Sequence, residues 1–225
     1  MNKFFGDLHI INLENYKYIL LDIDGVILDQ CFDNYYWSNL VPTEVAKANN
    51  VSFNDAKAEV VSMGKILEGT LPWYELSHWE QFFNVDLIKP ALEHTSLINF
   101  LPGAEKTLKI LSRKDINVIL LTNCDSRLLN VKSNFVPFLQ YVDACQSSTD
   151  LGFIKEEKGY WDLVFKKFKI DPAASIFLDD NKSIIMMAKN CGIESAYHVL
   201  EPTSDKSVVY ESSGLRYLKN ITKLI

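Results

Sequence analysis

The sequence predicts an α/β protein: a doubly wound parallel sheet, interrupted just after its first strand by a small all-helical insert. Three observations carry that expectation. Short apolar runs recur, Tyr18 to Gly25, Val118 to Asn123 and Ile176 to Asn181, and each ends abruptly in polar residues. Helical patterns separate the strand-like runs, the alternation of βαβ units. One segment of roughly seventy residues, 31–100, stands where a strand-to-helix connection normally takes about 2–6.

The elements follow in order. Tyr18-Ile-Leu-Leu is an unbroken apolar run, the pattern of a strand buried on both faces of a parallel sheet. Aromatic residues crowd the insert (Phe32, Tyr35, Tyr36, Trp37, Phe53, Trp73, Tyr74, Trp79, Phe82 and Phe83), so it is ordered and not a linker. Its patterns are helical: Ser52-Phe-Asn-Asp55 has the form of a capping signature ahead of Val60, Val61, Met63 and Leu67. A helix is expected from Gly103 to about Lys114, feeding a strand from Asn117 to Leu121. Another helix follows Asp125-Ser126, either of which can cap the orphan amides. A strand near Val142 to Cys145, a helix from Lys158 to Phe168 and a strand from Ser175 to Leu178 continue the rhythm. A helix from Lys182 to Lys189, an end near Gly192 and a last strand near Ser195 to Val199 complete it. After Pro202 a loop and then a helix near Leu215 to Leu224 are expected, the basic residues there forming a solvated face. The core is therefore assigned to residues 1–30 and 101–225, and the insert, read as a cap beside the sheet, to 31–100.

Bulk properties exclude some classes. A chain of 225 residues can bury a substantial core, and a net charge of −6 argues against a nucleic-acid footprint. The four cysteines, Cys31, Cys124, Cys145 and Cys191, show no C-x-x-C pair and no zinc spacing, and read as free buried thiols in a reducing cytosol. Asp7 and Glu14 interrupt any apolar stretch at the start, so neither a signal peptide nor a membrane span is legible. The expectation is a cytoplasmic protein, monomeric or a weak homo-oligomer, with no membrane partner.

In open α/β sheets, ligands bind outside the carboxyl ends of the strands. The three polar run-ends would thus meet, bringing Asp22, Asp24, Thr122, Asp179 and Asp180 to one crevice. Four carboxylates repel one another unless protons or a cation intervene, and a hard divalent cation, Mg²⁺, is the simplest resolution. Asp22 and Asp24, two apart on an extended chain, project together, while Ile23 points to the core and Gly25 allows a sharp turn. An aspartate carboxylate can attack phosphorus, and a second acid nearby can protonate a leaving alkoxide and later deprotonate water. Thr122 can hold a phosphate oxygen or cap a helix. One of Asp179 and Asp180 can ligate the metal, and the other can orient a metal-bound water or pair with a lysine. Asn181 can cap the helix from Lys182. Asn123 and Gly25, beside these groups, are assigned to substrate binding. A phosphate-binding cation is still required, and Lys155 or Lys158 can supply it. Phosphate-monoester hydrolysis needs accelerations up to about 10²¹-fold, against roughly 10²–10⁴-fold from a general acid alone, so a composite site is expected.

In this order, Asp-x-Asp-Gly, then Thr, Lys and Asp-Asp, the chain resembles the haloacid dehalogenase-like superfamily, Rossmann-like hydrolases that are mostly Mg²⁺-dependent phosphatases. The helical insert resembles their C1-type cap. The resemblance implies Asp22 as nucleophile and metal ligand, and Asp24 as acid/base and a ligand through its backbone carbonyl. It further implies Thr122 and Lys155 (in preference to Lys158) on phosphate, and Asp179 completing the metal site with Asp180 just outside it. Leu21-Asp-Ile-Asp24-Gly, Phe32-Asp-Asn-Tyr-Tyr-Trp37, Leu40-Val-Pro42, Trp73-Tyr74 with Trp79, and Gly152-Phe-Ile-Lys155-Glu-Glu look like the bacterial GMP/IMP nucleotidases of that superfamily. Val26 and Glu156 depart from the commonest residues there, threonine and proline.

The expected activity is a Mg²⁺-dependent 5'-nucleotidase on purine nucleoside monophosphates, working through an aspartyl-phosphate; Phe32, Tyr35, Tyr36 and Trp37 could stack on a base, although packing in the insert's own core is the better reading for most of them. The alternatives are a sugar-phosphate phosphatase or phosphoglucomutase with the same core, and, outside enzymes, a phospho-accepting signalling domain.

Overall fold

The computed structural model describes residues 11–205, 210–211 and 214–225. The stretch on which the reading of no signal peptide rests lies largely outside them. Among the described residues six strands form one parallel sheet in the order β3-β2-β1-β4-β5-β6. They are β1 Tyr18–Leu21, β2 Asn117–Thr122, β3 Ala144–Ser147, β4 Ser175–Asp179, β5 Ser195–Val199 and β6 Tyr217–Leu218. This is the expected doubly wound sheet. The chain runs outward from β1 to β3, then returns to β1's other side for β4, so β1 and β4 flank the point where the winding reverses. Leu21 pairs with Leu120 on one side and Leu178 on the other, which sets the tips of β1, β2 and β4 side by side.

The central strands are buried on both faces, and alternation divides their side chains. Ile19, Leu21, Val118, Leu120, Ile176 and Leu178 join one core. Leu20, Ile119, Leu121 and Phe177 join the other, against Tyr160, Trp161 and Ile185. The helices behind them, Ser126–Phe135, Lys158–Phe168 and Lys182–Asn190, stand where the periodicity put them. Asp125 and Asn181 cap the first and last, accepting from the backbone amides of Arg127 (2.8 Å) and Ser183 (2.9 Å).

Residues 31–97 are helical: Cys31–Tyr35, a π-turn Tyr36–Leu40, Val41–Asn49, Phe53–Leu67, Leu71–Tyr74, Leu76–Phe83, Ile88–Glu93 and a 3₁₀ turn Thr95–Leu97. Ser52 caps the longest of these, accepting from the Asp55 amide at 3.2 Å. The segment does not keep a separate core. Phe32, Tyr36, Val45, Trp79 and Phe83 belong to the same buried cluster as one face of the sheet. The chain leaves and returns through a paired neck, where the Asp29 amide donates to Asn99 O and the Leu101 amide to Ile27 O, both at 2.9 Å.

Asp29 locks that neck. Its carboxylate accepts from Cys31 N, Thr203 Oγ1 and Ser204 N at 2.9–3.0 Å. Burial alone would push it up, but these hydrogen bonds outweigh burial and hold it below the usual carboxylate range. Its contribution to stability is therefore complete above the unfolded value of about 4 and fades as pH falls through the lower folded value. Asp29→Asn is expected to cost about 1–3 kcal/mol at neutral pH, with the gap from wild type closing below about pH 4 in urea titrations.

Three expectations need correction. The third strand runs over Ala144–Ser147 and not Val142 to Cys145, because Asp143 turns the chain in by bonding Val118 through its amide and its carboxylate. The tail is not helical from Leu215 to Leu224. Tyr217 and Leu218 pair with His198 and Val199 as a sixth strand, followed by a 3₁₀ turn Ile221–Leu224. Leu218, Ile221 and Leu224 carry a helical spacing, but the open edge of β5 offers ladder hydrogen bonds that a helix would leave unmade. The cysteines are free, but Cys31 is exposed and the other three are partly buried. No helix among the described residues is long and apolar enough to cross a membrane.

Candidate active site

The tips of β1, β2 and β4 open onto a cleft of about 270 Å³, faced on its far side by the insert. Asp22 continues β1: its amide donates to Leu178 O at 2.9 Å, and its side chain is almost wholly buried. Ile23 points into the core, and Asp24 turns back toward the cleft. Gly25 has φ of +86°, and a Cβ there would lie 2.8 Å from Asp180 Cγ and 2.8 Å from Gln30 Nε2. The loop therefore needs glycine for its backbone and for its space. Gly25 stands behind the acids and is not among the residues lining the cleft.

Lys155 ties the strand tips together. Its Nζ donates to Asp22 Oδ1 (2.5 Å), Asp179 Oδ2 (2.8 Å) and Leu121 O (3.1 Å), which uses all three protons. Its carbonyl is held by Trp161 Nε1 at 2.8 Å. Lys158 does not reach the cleft; it is exposed and pairs with Asp162 on the outer helix.

Thr122 is buried at the tip of β2, and its Oγ1 accepts from Cys124 N at 3.0 Å, leaving its proton to donate. Asn123 lines the cleft, but both ends of its amide are committed. Its Oδ1 accepts from Lys155 N (3.0 Å), and its Nδ2 donates to Glu156 Oε2 (2.8 Å). It fastens the lysine loop. Asp179 is fully buried, with Oδ1 accepting from Asn181 N at 2.8 Å. Asp180 Oδ2 accepts from Gln30 Nε2 at 2.5 Å, and its carbonyl oxygen lies 2.9 Å from His198 Nε2.

Among the described residues Asp22, Asp179 and Asp180 form a cluster whose ligand oxygens lie within 4.8 Å of one another. One ammonium faces three carboxylates. Burial, with the neighbouring Asp179, Asp180 and Asp24, pushes Asp22 well up despite Lys155. Burial and Asp179 push Asp180 up to about 7. Burial pulls Lys155 down, but Asp179 and Asp22 prevail and hold its proton firmly. The site thus has an excess of negative charge and hard oxygen donors, which fits a divalent cation of the Mg²⁺ type.

Several groups lay beyond the sequence reading. Lys132, fully buried, donates at 2.8 Å to Asp24 Oδ1 and to both oxygens of Asp33. A lysine at the i+4 position from Leu128, on the helix's apolar face beside Val131, was the available signal. The insert contributes Asp33, Trp37, Trp73, Tyr74 and Leu76 to the lining. Phe32 and Tyr36 take the core-packing role expected for most of these aromatics and are buried, and Tyr36 spends its hydroxyl on Leu87 O at 2.7 Å. Tyr35 is exposed and outside the lining; of the four aromatics, Trp37 faces the cleft. Cys124 lines it too, but burial pushes its thiol well up, so it is no nucleophile.

Comparison with known proteins agrees with this geometry. The sequence profile of the haloacid dehalogenase-like hydrolases matches residues 16–192. The GMP/IMP nucleotidase YrfG of Escherichia coli (strain K12) is 28% identical over 186 residues, which is 83% of this chain and 84% of that one. A phosphorylated carbohydrates phosphatase of Thermotoga maritima is 23% identical over 118 residues, about half of each chain (52% and 55%). The crystal structure of a HAD phosphatase from Thermococcus onnurineus superposes with a TM-score of 0.78 at 18% identity, covering 92% of this chain and 95% of that one. A profile match of this extent decides the family: the chain belongs to the haloacid dehalogenase-like hydrolases, and within them it is an enzyme of the phosphatase type.

Proposed function

We propose that the protein is a 5'-nucleotidase that hydrolyses purine nucleoside monophosphates, GMP or IMP, through a phosphoaspartate on Asp22. The observation that carries the chemistry is Lys155 bridging Asp22 and Asp179 at the tips of neighbouring strands, with Asp24 and Thr122 in the same cleft. The Asp22 carboxylate attacks phosphorus, and the P–O ester bond breaks as the Asp22–O–P bond forms. Asp24 gives a proton to the leaving ribose oxygen. Asp24 then takes a proton from a water whose oxygen bonds phosphorus as the Asp22–O–P bond breaks, and inorganic phosphate leaves. The Thr122 hydroxyl holds a phosphoryl oxygen in line, and the Lys155 ammonium, its protons spent on Asp22, Asp179 and Leu121, adds positive charge beside the phosphoryl group. Asp22, Asp179 and Asp180, with the Asp24 backbone, would hold Mg²⁺, which would supply neutralising charge to the phosphoryl oxygens.

That occupancy has a readout apart from turnover. Millimolar Mg²⁺ is expected to raise the Tm of the wild type, since a ligand at about 100 times its Kd stabilises by roughly 2.7 kcal/mol. Asp179→Asn is expected to lose that rise. An equal rise in both proteins would place the cation elsewhere.

The nucleotide part rests on the relative in E. coli and on the lining. Among the described residues that line the cleft Lys155 is the one cation, which suits a single phosphoryl group. Trp37, Trp73 and Tyr74 offer aromatic surface, the last two with rings 5.8 Å apart and 19° from parallel. Residues 31–100 act as a cap that brings these groups over the phosphate site. The free thiols fit a reducing compartment, and we place the enzyme in the cytoplasm. Stacking on a base is worth about 1–3 kcal/mol, so Trp73→Ala is expected to raise KM for GMP roughly tenfold while leaving p-nitrophenyl phosphate unaffected. A second reading, a sugar-phosphate phosphatase, is favoured by the Thermotoga relative. Phosphate release across panels of nucleoside monophosphates and sugar phosphates decides between them: the proposal requires the highest kcat/KM on a purine nucleotide, and a preference for a sugar phosphate overturns it.

A further inference from the structure

Two lysines are buried among the described residues, Lys155 at the strand tips and Lys132 beneath the cleft. Lys132 comes from the core helix Ser126–Phe135 and has no exposed surface. Its three protons meet three acceptors at 2.8 Å: one oxygen of Asp24 and both oxygens of Asp33. The ring of Phe32 lies 5.6 Å from the ammonium. A buried charge is stable only when paired. With every donor spent and no solvent to turn toward, this side chain has one geometry. Asp24 belongs to the core, and Asp33 stands on the first helix of the insert. One ammonium therefore joins a core helix, the acid beside the scissile bond and the insert.

We propose that Lys132 is a positioning residue that aims the Asp24 carboxylate for both of its proton transfers, and that Asp33, from the insert, completes the arrangement. The inference rests on the phosphatase reading above and adds a residue to it. Lys132 itself gives and takes no proton in either half of the reaction. It fixes the carboxylate that does, and a displacement of about 1 Å in such a group can cost about 10²-fold.

The test compares two esters by rapid mixing. p-Nitrophenolate leaves without help from an acid, whereas a ribose alkoxide needs its proton. Lys132→Met is expected to release about one equivalent of p-nitrophenolate per active site at a near wild-type rate, then turn over roughly 10²-fold more slowly, because water attack still needs Asp24 as base. On GMP the same variant is expected to show no burst and a kcat lower by about 10²-fold or more, with KM within about threefold. Asp33→Asn keeps the pairing of Lys132 with Asp24 and is expected to show the same pattern with a loss of about tenfold in kcat. It also carries the test if Lys132→Met does not fold. The inference is overturned if, in a folded variant, burst amplitude and turnover fall together, if KM alone changes, or if both esters are processed at wild-type rates. A wild type inert toward both esters overturns the phosphatase reading and this inference with it. An active wild type with indifferent variants overturns this inference alone.

Discussion

Asp22→Asn is expected to keep its fold and to lose turnover by on the order of 10⁴-fold or more. The amide cannot form the acyl-phosphate, and the remaining groups can only bind and polarise the ester. Its stability should move the other way. Asp22 is one of three clustered carboxylates served by one ammonium, and burial with its acidic neighbours makes its negative charge costly. An amide oxygen in its place can still accept from Lys155 while removing one negative charge. Without added divalent cation, the Tm of this variant is therefore expected to equal or exceed that of the wild type. Activity near wild type would remove Asp22 as nucleophile, and a large drop in Tm would mean that its charge serves the fold.

Lys155→Met is expected to do damage of the opposite kind. Nζ supplies the charge that lets Asp22 and Asp179 sit buried side by side, and its loss leaves both uncompensated. Breaking one partner out of a buried pair costs about 3–5 kcal/mol. Turnover should fall together with stability, because the same ammonium holds the Asp22 carboxylate in place and supplies positive charge beside the phosphoryl group in the proposed chemistry. Mg²⁺ should raise the Tm of this variant by more than it raises that of the wild type, since the cation then supplies neutralising charge that the lysine no longer provides. Denaturant titrations with and without Mg²⁺ measure both effects. An unchanged midpoint would show that the two acids are neutral in the folded protein and that Lys155 is not their counter-ion.

Most of the core was legible in the sequence because its signals are local. An apolar run that stops at an acid defines a buried strand and its tip, and Asp22, Thr122 and Asp179 follow directly from that pattern. Lys155 was preferred over Lys158 on the spacing of the resembled family, but its place at the strand tips has no local signal. It depends on the loop after β3 folding back so that Trp161 holds the Lys155 carbonyl, a contact between residues that no periodicity pairs. Lys132 escaped because a lysine within a helix is ordinarily a surface residue; its acceptors lie 108 and 99 residues away in the chain. The aromatics of the insert were visible as a group, but which of them face the cleft depends on how short helices turn. Neighbours in sequence, Tyr36 and Trp37, thus end on opposite sides of that boundary. The tail was misread for a similar reason: Leu218, Ile221 and Leu224 fit a helix, and only the vacant edge of β5 decides for a strand.

The claim on which the rest depends is that phosphorus becomes bonded to Asp22 during turnover. Acid quenching of the Mg²⁺-loaded enzyme within milliseconds of mixing with phosphate-labelled GMP, followed by peptide mapping, tests it directly. The expected result is an acid-stable, alkali-labile label on the peptide that contains Asp22, absent from Asp22→Asn and, when labelled p-nitrophenyl phosphate replaces GMP, accumulating in Lys132→Met. Label on any other residue, or rapid hydrolysis with no labelled protein in either the wild type or the slowed variant, would contradict it.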